Sequence, residues 1–438
     1  MAIRRPQLIK LLAPLMVFGA TLAVLMLMNR SSSSPTPTSA GGAGGFAGAA
    51  RSSDEQIRSL QAAIAADPKQ TDAYTSLGNA YLQKVRETAD YAYYQRAQLA
   101  FRRALEQDPR NAGALAGMGS LALSRHDFGA GLRYGRQALA AAPGVARIYG
   151  VIVDALVELG RYGEAGRMLQ RMVDLKPNLS SYARVSYFRE LHGDVRGAVS
   201  AMRLATSAGG DAAENAAYVQ TLLGNLEFQR GRLAAAERAY REGMATFGRY
   251  LPAEAGLARV DAARGRLAPA IRRYRSVATR LPLPEHVIAL GEAELAAGRR
   301  TAAGEDFALV RVQQRLLARS GVNTDVELAL FEANHGSARR AVALARRAWS
   351  AAPSIRSADA LGWALTRSGE PRKGLRWARG ALRLGSRDSM FLYHAGMAAR
   401  AAGEAAPARA YLEAALAQNP GFSPLYAPRA RRALEALP

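Results

Sequence analysis

From residue 53 onward, the apolar positions of the chain recur with the spacing of amphipathic helices. Tyr74, Leu77, Gly78 and Tyr81, for example, follow one another at i, i+3, i+4 and i+7, so they share one helix face. Segments of this kind end at a glycine or a proline, the residues that stop a helix most effectively. The pattern therefore predicts an all-α chain built from many short helices.

The breaks between these segments are periodic. One series of glycines, from Gly160 to Gly403, has intervals of 33, 38, 34, 33, 38, 33 and 34 residues. A series of prolines closes the following segment, and Pro109, Pro143 and Pro177 are 34 residues apart. A period near 34, with glycine between two helical segments and proline after the second, predicts a helix-turn-helix repeat.

Residue size inside the period supports this prediction. Glycine or alanine recurs at fixed slots of both segments, and aromatic residues such as Phe101 and Tyr240 occupy a slot between them. Helices approach closely only where side chains are small, and larger apolar groups fill the remaining gaps.

Together these features resemble the tetratricopeptide repeat family over residues 54–420, and the chain is similar to exported bacterial proteins of this type. The resemblance implies a right-handed α-solenoid of about ten repeats over 53–438, with capping helices at 54–66 and 424–437. The predicted repeats span 71–109, 112–143, 146–177, 179–210, 217–248, 251–282, 284–317, 322–353, 355–386 and 389–420. Extra residues interrupt the period near Val85–Tyr94, Gly209–Ala216 and Ser320–Asp325.

The first 52 residues have a different character. Residues 11–28 carry no charge, and at about 1.5 Å per residue they cover roughly 27 Å, enough for one transmembrane helix. The basic segment 1–10 precedes them, which predicts a cytoplasmic N-terminus. Residues 29–52, rich in Ser, Pro, Gly and Ala, predict a flexible linker. We expect an inner-membrane protein with its repeats outside the cytoplasm; the alternative is a cleaved signal and a secreted protein.

Residue chemistry argues against an enzyme. The chain has no cysteine, which excludes disulfides, thiolate metal sites and thiol catalysis. Its five histidines lack the spacing of a zinc protease, and neither a phosphate loop nor a nucleophile elbow is present. We therefore predict no catalytic residues, no metal site and no cofactor.

The resemblance also implies a binding surface, because the first helix of each repeat in this family lines a concave groove. Its groove positions fall on Asn79, Arg147, Asp154, Tyr187, Asn225, Arg259, Trp363, Tyr393, Met397 and Arg400. Aromatic and arginine side chains are enriched among interface hot spots, and the last two repeats concentrate them. The alternative is that some of these residues pack inside the superhelix.

The formal charge of +23 is unevenly distributed. Residues 332–388 hold twelve basic side chains and four acidic ones. We name as the basic patch Arg339, Arg340, Arg346, Arg347, Arg372, Lys373, Arg376, Arg379 and Arg383. The patch could attract an acidic partner or a polyanion, or it could simply be a solvated face.

The sequence thus predicts a membrane-anchored scaffold that binds proteins or peptides, of which acidic ones would suit the basic patch, within a bacterial envelope complex. The alternative function is binding of a polyanion, either a cell-envelope polymer or nucleic acid. Nucleic acid is the less favoured partner, because an exported domain would rarely meet it.

Overall fold

The computed structural model describes residues 52–209 and 213–438, which form 22 α-helices and no strand. Helix α1 spans Ser53–Ala66 and α22 spans Tyr426–Glu435. Between them lie ten helix pairs, which we number as repeats 1 to 10. The first helices are α2 (Thr71–Thr88), α4 (Ala112–Ser124), α6 (Ala146–Glu158), α8 (Leu179–Leu191), α10 (Ala213–Gln229), α12 (Leu251–Ala263), α14 (Pro284–Ala296), α16 (Asp325–His335), α18 (Ile355–Arg367) and α20 (Ser389–Ala401).

The second helices are α3 (Ala92–Gln107), α5 (Phe128–Ala141), α7 (Tyr162–Leu175), α9 (Val195–Ser207), α11 (Leu233–Thr246), α13 (Leu267–Arg280), α15 (Arg300–Arg319), α17 (Ala338–Ala351), α19 (Pro371–Ala381) and α21 (Ala405–Gln418). Each packs mainly on its own first helix, and all but α15 and α21 pack next on the first helix of the following repeat. The predicted all-α array, its ten helix pairs and the two flanking helices are therefore confirmed.

The positions predicted to hold small residues pack against those predicted to hold aromatic ones. A methyl group on Gly78 would lie 2.5 Å from the ring of Phe101, and one on Gly117 in the next repeat would overlap the same ring. Tyr240 is held in the same way between Gly224 and Gly256. One aromatic side chain of a second helix thus fills the space left by glycines on two successive first helices.

The extra residues between repeats lengthen helices rather than form long loops. Helix α2 has 18 residues, α10 has 17 and α15 has 20, whereas most other helices have 13 or 14. Helix α15 ends only at Arg319, beyond the predicted boundary at 317. The added turn of α15 exposes surface that has no counterpart in the other repeats.

The array coils back on itself. His126 Nδ1, after α4, lies 2.6 Å from the carbonyl oxygen of Asn323, before α16. The Tyr162 hydroxyl accepts a 3.0 Å hydrogen bond from the amide of Ile355, and Asn419 donates one of 2.7 Å to the carbonyl of Phe228. These partners are 191 to 197 residues apart, which is close to six repeats.

We call this line of contact the seam. On one side lie the turns inside repeats 2, 3 and 5, and on the other the loops that follow repeats 7, 8 and 10. Repeats 1–6 form a first coil and repeats 7–10 a second coil that rests against it. The hydrophobic core crosses the seam, since Ile355, Ala358 and Phe391 belong to the same buried cluster as Ile148 and Leu156.

Among the described residues, no helix combines the length and the apolar character required to cross a bilayer. The predicted basic segment 1–10, the transmembrane helix 11–28 and nearly all of the linker 29–52 lie outside the described residues.

Candidate functional site

All ten groove candidates lie on first helices, as the repeat register predicts, but most of them are covered by other parts of the protein. Asp154, Trp363 and Tyr393 are only 1%, 4% and 2% exposed. Six others are half-buried: Asn79, Arg147, Tyr187, Asn225, Arg259 and Met397. Arg400 alone among the ten is exposed. The concave face is therefore largely filled by the protein itself.

The innermost contact is an ion pair between repeats 3 and 4. Asp154 on α6 accepts two hydrogen bonds from the Arg184 guanidinium on α8, at 2.9 and 2.6 Å. Both side chains are almost completely buried, at 1% and 2% exposure. Burial raises the pKa of Asp154 to about 6, although the charge of Arg184 opposes that rise. Asp154 is therefore committed to Arg184 and is not available to a ligand.

An arginine from the second coil occupies the space beside this pair. Arg356 on α18 lies 3.4 Å from Glu158 on α6 and 3.1 Å from Glu327 on α16. Tyr187 stands next to them, and burial, followed by the charge of Glu158, raises the pKa of its hydroxyl well above the ordinary value. Tyr187 thus belongs to the packing between the coils.

Asn225 and Arg259 also satisfy each other. Arg259 on α12 donates hydrogen bonds to the Asn225 side chain and, at 2.7 Å, to the hydroxyl of Tyr240. The Tyr240 hydroxyl in turn donates to Asn225 at 2.8 Å, and the guanidinium lies 4.5 Å above the Phe228 ring. This network joins repeats 5 and 6.

The aromatic residues of the last repeats are packed inside the array. Trp363 donates a 2.9 Å hydrogen bond to Asn334 and stacks on the His394 ring at 4.4 Å. Tyr393 contacts the rings of Phe422 and Tyr426. The expected exposed hot spot at Trp363 and Tyr393 is therefore not formed, and the alternative interpretation, packing within the superhelix, describes both residues.

Beneath this aromatic cluster, Asp388 caps α20 by accepting a 2.7 Å hydrogen bond from the Phe391 amide. Its side chain is buried, and this burial raises the pKa of Asp388 to about 7. Because the pKa in the folded state lies above the ordinary value of about 4, the folded protein favours the protonated form of Asp388. The contribution of this group to the free energy of unfolding is fully present below about pH 4 and is lost as the pH rises through about 7.

We therefore expect Asp388→Asn, which keeps the cap but cannot ionise, to gain stability relative to wild type as the pH rises from 4.5 to 8. The gain should be about 1–4 kcal/mol, measured from urea denaturation midpoints at both pH values. Asp127→Asn, at the exposed cap of α5, controls for replacing a capping aspartate as such. An equal change in both variants would contradict the assignment.

The basic patch is a real surface feature, since all nine of its residues are exposed. Arg340 pairs with Glu332 at 3.2 Å and Arg347 with Asp325 at 2.8 Å, and Lys373 and Arg379 also have carboxylate partners. Within the described part of the chain, five of its arginines carry no ion pair. They are Arg339 and Arg346 on α17, Arg372 and Arg376 on α19, and Arg383 just after α19.

A second exposed feature was not predicted. Leu309, Val312 and Leu316 are 44%, 42% and 54% exposed, and their i, i+3, i+7 spacing places them on one face of α15. We call these three residues the apolar ridge. Core residues of the same helix, such as Val310 and Leu317, point the other way and are buried. The sequence signal was the surplus of apolar residues just before the insertion at 320–325.

Comparisons with known proteins give one partial match to a sequence profile and several distant similarities to solved structures. A sequence profile of the plant-specific mitochondrial import receptor subunit TOM20 matches residues 47–122. A search of curated proteins finds no match. Among solved structures, the crystal structure of the APC/C hetero-tetramer Cut9–Hcn1 is similar at 16% identity and a TM-score of 0.38, over 87% of this chain and 81% of that chain.

Two further solved structures show the same level of similarity. The human IFIT1 dimer with PPP-AAAA has 17% identity and a TM-score of 0.39, over 79% of this chain and 72% of that chain. PilW, a widely conserved type IV pilus biogenesis factor, has 18% identity and a TM-score of 0.31, over 55% of this chain and 92% of that chain. At these identities the likeness concerns the fold alone. The helix pairing and the 34-residue period are those of a tetratricopeptide-type array.

Proposed function

We propose that the protein is a membrane-anchored scaffold that binds a partner protein on the outer face of its second coil and has no catalytic activity of its own. The observation that carries this proposal is the apolar ridge on α15, where three large apolar side chains are exposed in one row. Single exposed apolar residues are common, but a row of them on one helix is typical of an interaction surface. The proposed binding surface therefore lies outside the concave face.

Charge beside the ridge indicates the chemistry of the partner. Arg315 and Arg319 are exposed on α15 itself, and the basic patch lies on α17 and α19, the second helices of the next two repeats. Complementary charge speeds association and favours one partner over others. We therefore propose an amphipathic partner segment whose apolar residues are flanked by carboxylates.

The membrane part of the proposal rests on residues 11–28 and the basic residues before them. Such an anchor would hold the array at the outer surface of the inner membrane, within an envelope complex. A cleaved N-terminal segment, and hence a secreted protein, is the alternative.

A second candidate function is binding of a polyanion by the basic patch, favoured by its five arginines without an ion pair among the described residues. Salt separates the two functions. Polyanion binding releases counterions and weakens steeply between 50 and 200 mM salt, whereas contact with the apolar ridge depends much less on salt.

The ridge can be tested by placing a photo-crosslinking amino acid at Val312 of the full-length chain in cells. We expect a crosslinked partner whose yield falls at least tenfold when Leu309→Ser and Leu316→Ser are added, because apolar contact area is lost. Leu204→Ser is the matched control, since Leu204 is 52% exposed but stands on α9, whose core residues belong to a different buried cluster from Leu317 of α15. A yield unaffected by the ridge variants, or lowered equally by Leu204→Ser, would count against the proposal.

A further inference from the structure

A cavity of about 620 Å³ opens at the seam, between the turns of repeats 4 and 5 and the end of the second coil. Its first-coil wall contains Asp194, Arg196, Arg230 and Arg232. Its second-coil wall contains Arg387, which follows α19, and Gln418, the last residue of α21. We call it the seam pocket.

The pocket is strongly basic. Four arginines line it and only one carboxylate, that of Asp194. Asp194 is already engaged, since it accepts a 2.8 Å hydrogen bond from the Gly197 amide and lies 3.3 Å from Arg189. Within the described residues, Arg196, Arg232 and Arg387 have no ion-pair partner. The positive charge of the pocket is therefore largely uncompensated.

The fourth arginine shows how closely these charges are crowded. The Arg230 side chain is 15% exposed and pairs with Glu227 at 3.1 Å. Desolvation lowers the pKa of Arg230, and the charges of Arg232, Arg203 and Arg196 lower it further. Such crowding costs free energy, and an anion in the pocket would relieve it.

Backbone groups add to the positive electrostatic potential of the pocket. The 14-residue helix α11 begins at Leu233, next to Arg232 in the pocket wall, whereas the N-terminus of α9 is already capped by the Asp194 carboxylate. The partial positive charge at a helix N-terminus favours a bound anion. The cap of α11 is Arg232, whose side chain makes no capping hydrogen bond.

We propose that the seam pocket binds a small molecule carrying at least two phosphate groups, and that this ligand clamps the two coils together. The guanidinium fork matches phosphate oxygens in pairs, so several arginines in one cavity fit two phosphate groups better than one. A volume of about 620 Å³ falls in the range of small-molecule sites. Because Arg387 belongs to the second coil and the other three arginines to the first, one ligand would contact both sides of the seam.

Calorimetric titration of the full-length chain, purified in detergent at constant ionic strength, tests the proposal. The probes are inorganic phosphate, pyrophosphate and ADP. We expect pyrophosphate or ADP to bind at least tenfold more tightly than phosphate and to raise the thermal midpoint. If ADP binds more tightly than pyrophosphate, the ligand is an organic diphosphate, and the reverse order indicates the inorganic ion.

Two variants locate the binding site. Arg232→Gln and Arg387→Gln remove one exposed, unpaired arginine from each coil, and each should weaken binding at least tenfold. Arg238→Gln is the matched control, because Arg238 is exposed on α11 but does not line the pocket. Thermal melts of the ligand-free variants verify folding. Equal losses in all three variants, or tight binding of a polyglutamate peptide in place of the diphosphate, would overturn the proposal.

Discussion

Arg184→Met is expected to lower the stability of the folded chain by about 3–5 kcal/mol, because it leaves the Asp154 carboxylate buried without its partner. The guanidinium also donates to the Ser180 backbone carbonyl at 3.2 Å, so the variant breaks contacts on α8 as well. Urea denaturation followed by circular dichroism measures the loss.

The pH dependence of this variant gives a sharper test. Burial already raises the pKa of Asp154 to about 6 in the presence of Arg184, and removing the positive charge should raise it further. Burying a protonated, neutral carboxyl group costs little folding free energy. Arg184→Met should therefore lower stability less at pH 5 than at pH 8.

Two further variants isolate the buried charge. Asp154→Leu combined with Arg184→Met removes both charges and should recover most of the stability. Arg189→Met, on the same helix, breaks a 3.3 Å pair whose side chains are 27% and 42% exposed, and should cost less than about 1 kcal/mol. Similar losses for Arg184→Met and Arg189→Met would refute the role given to burial.

Gly160→Ala should be the most damaging glycine substitution at the seam. Gly160 has φ +71°, and a methyl group there would overlap the carbonyl oxygen of Pro353 in the second coil. The left-handed conformation costs an alanine about 1–2 kcal/mol. Overpacking adds about 1–3 kcal/mol.

Gly265→Ala separates these two costs. Gly265 has nearly the same φ, +76°, but nothing lies within 4 Å of the added carbon. We expect Gly265→Ala to show only the backbone cost, and Gly160→Ala alone to increase the radius of gyration in small-angle scattering and the hydrogen exchange of the Ile355 amide. Equal thermal midpoints for the two variants would mean that the seam contributes nothing to stability.

The repeat pattern was sufficient to predict the helices because every helix pair packs in the same way. Residues such as Gly78 and Phe101 contact only their own repeat and the next one, so their positions recur with the period of the repeat. The seam depends on something else, the small rotation between successive repeats, which accumulates over six of them. No residue pattern within 34 positions specifies that rotation, so contacts such as Tyr162 with Ile355 could not be predicted.

The same reason explains the outcome for the candidate site. The register correctly placed Trp363 and Tyr393 on first helices, but their exposure depends on how tightly the array coils. Trp363 is covered by Asn334 and His394 of the neighbouring first helices, and Tyr393 by Phe422 and Tyr426 of the C-terminal segment. The apolar ridge was missed because the repeat pattern assigns only the buried positions of α15, such as Val310 and Leu317, and says nothing about the residues between them.

The seam also has an evolutionary consequence. An open solenoid can gain or lose a repeat by unequal recombination, since each unit touches only its neighbours. In this chain, an extra unit between repeats 5 and 7 would shift the Gly160 turn away from Pro353 and misalign the other seam partners at once. We expect natural variation in repeat number among descendants of this gene to be confined to the ends of the array, whereas its middle is inherited as one indivisible length.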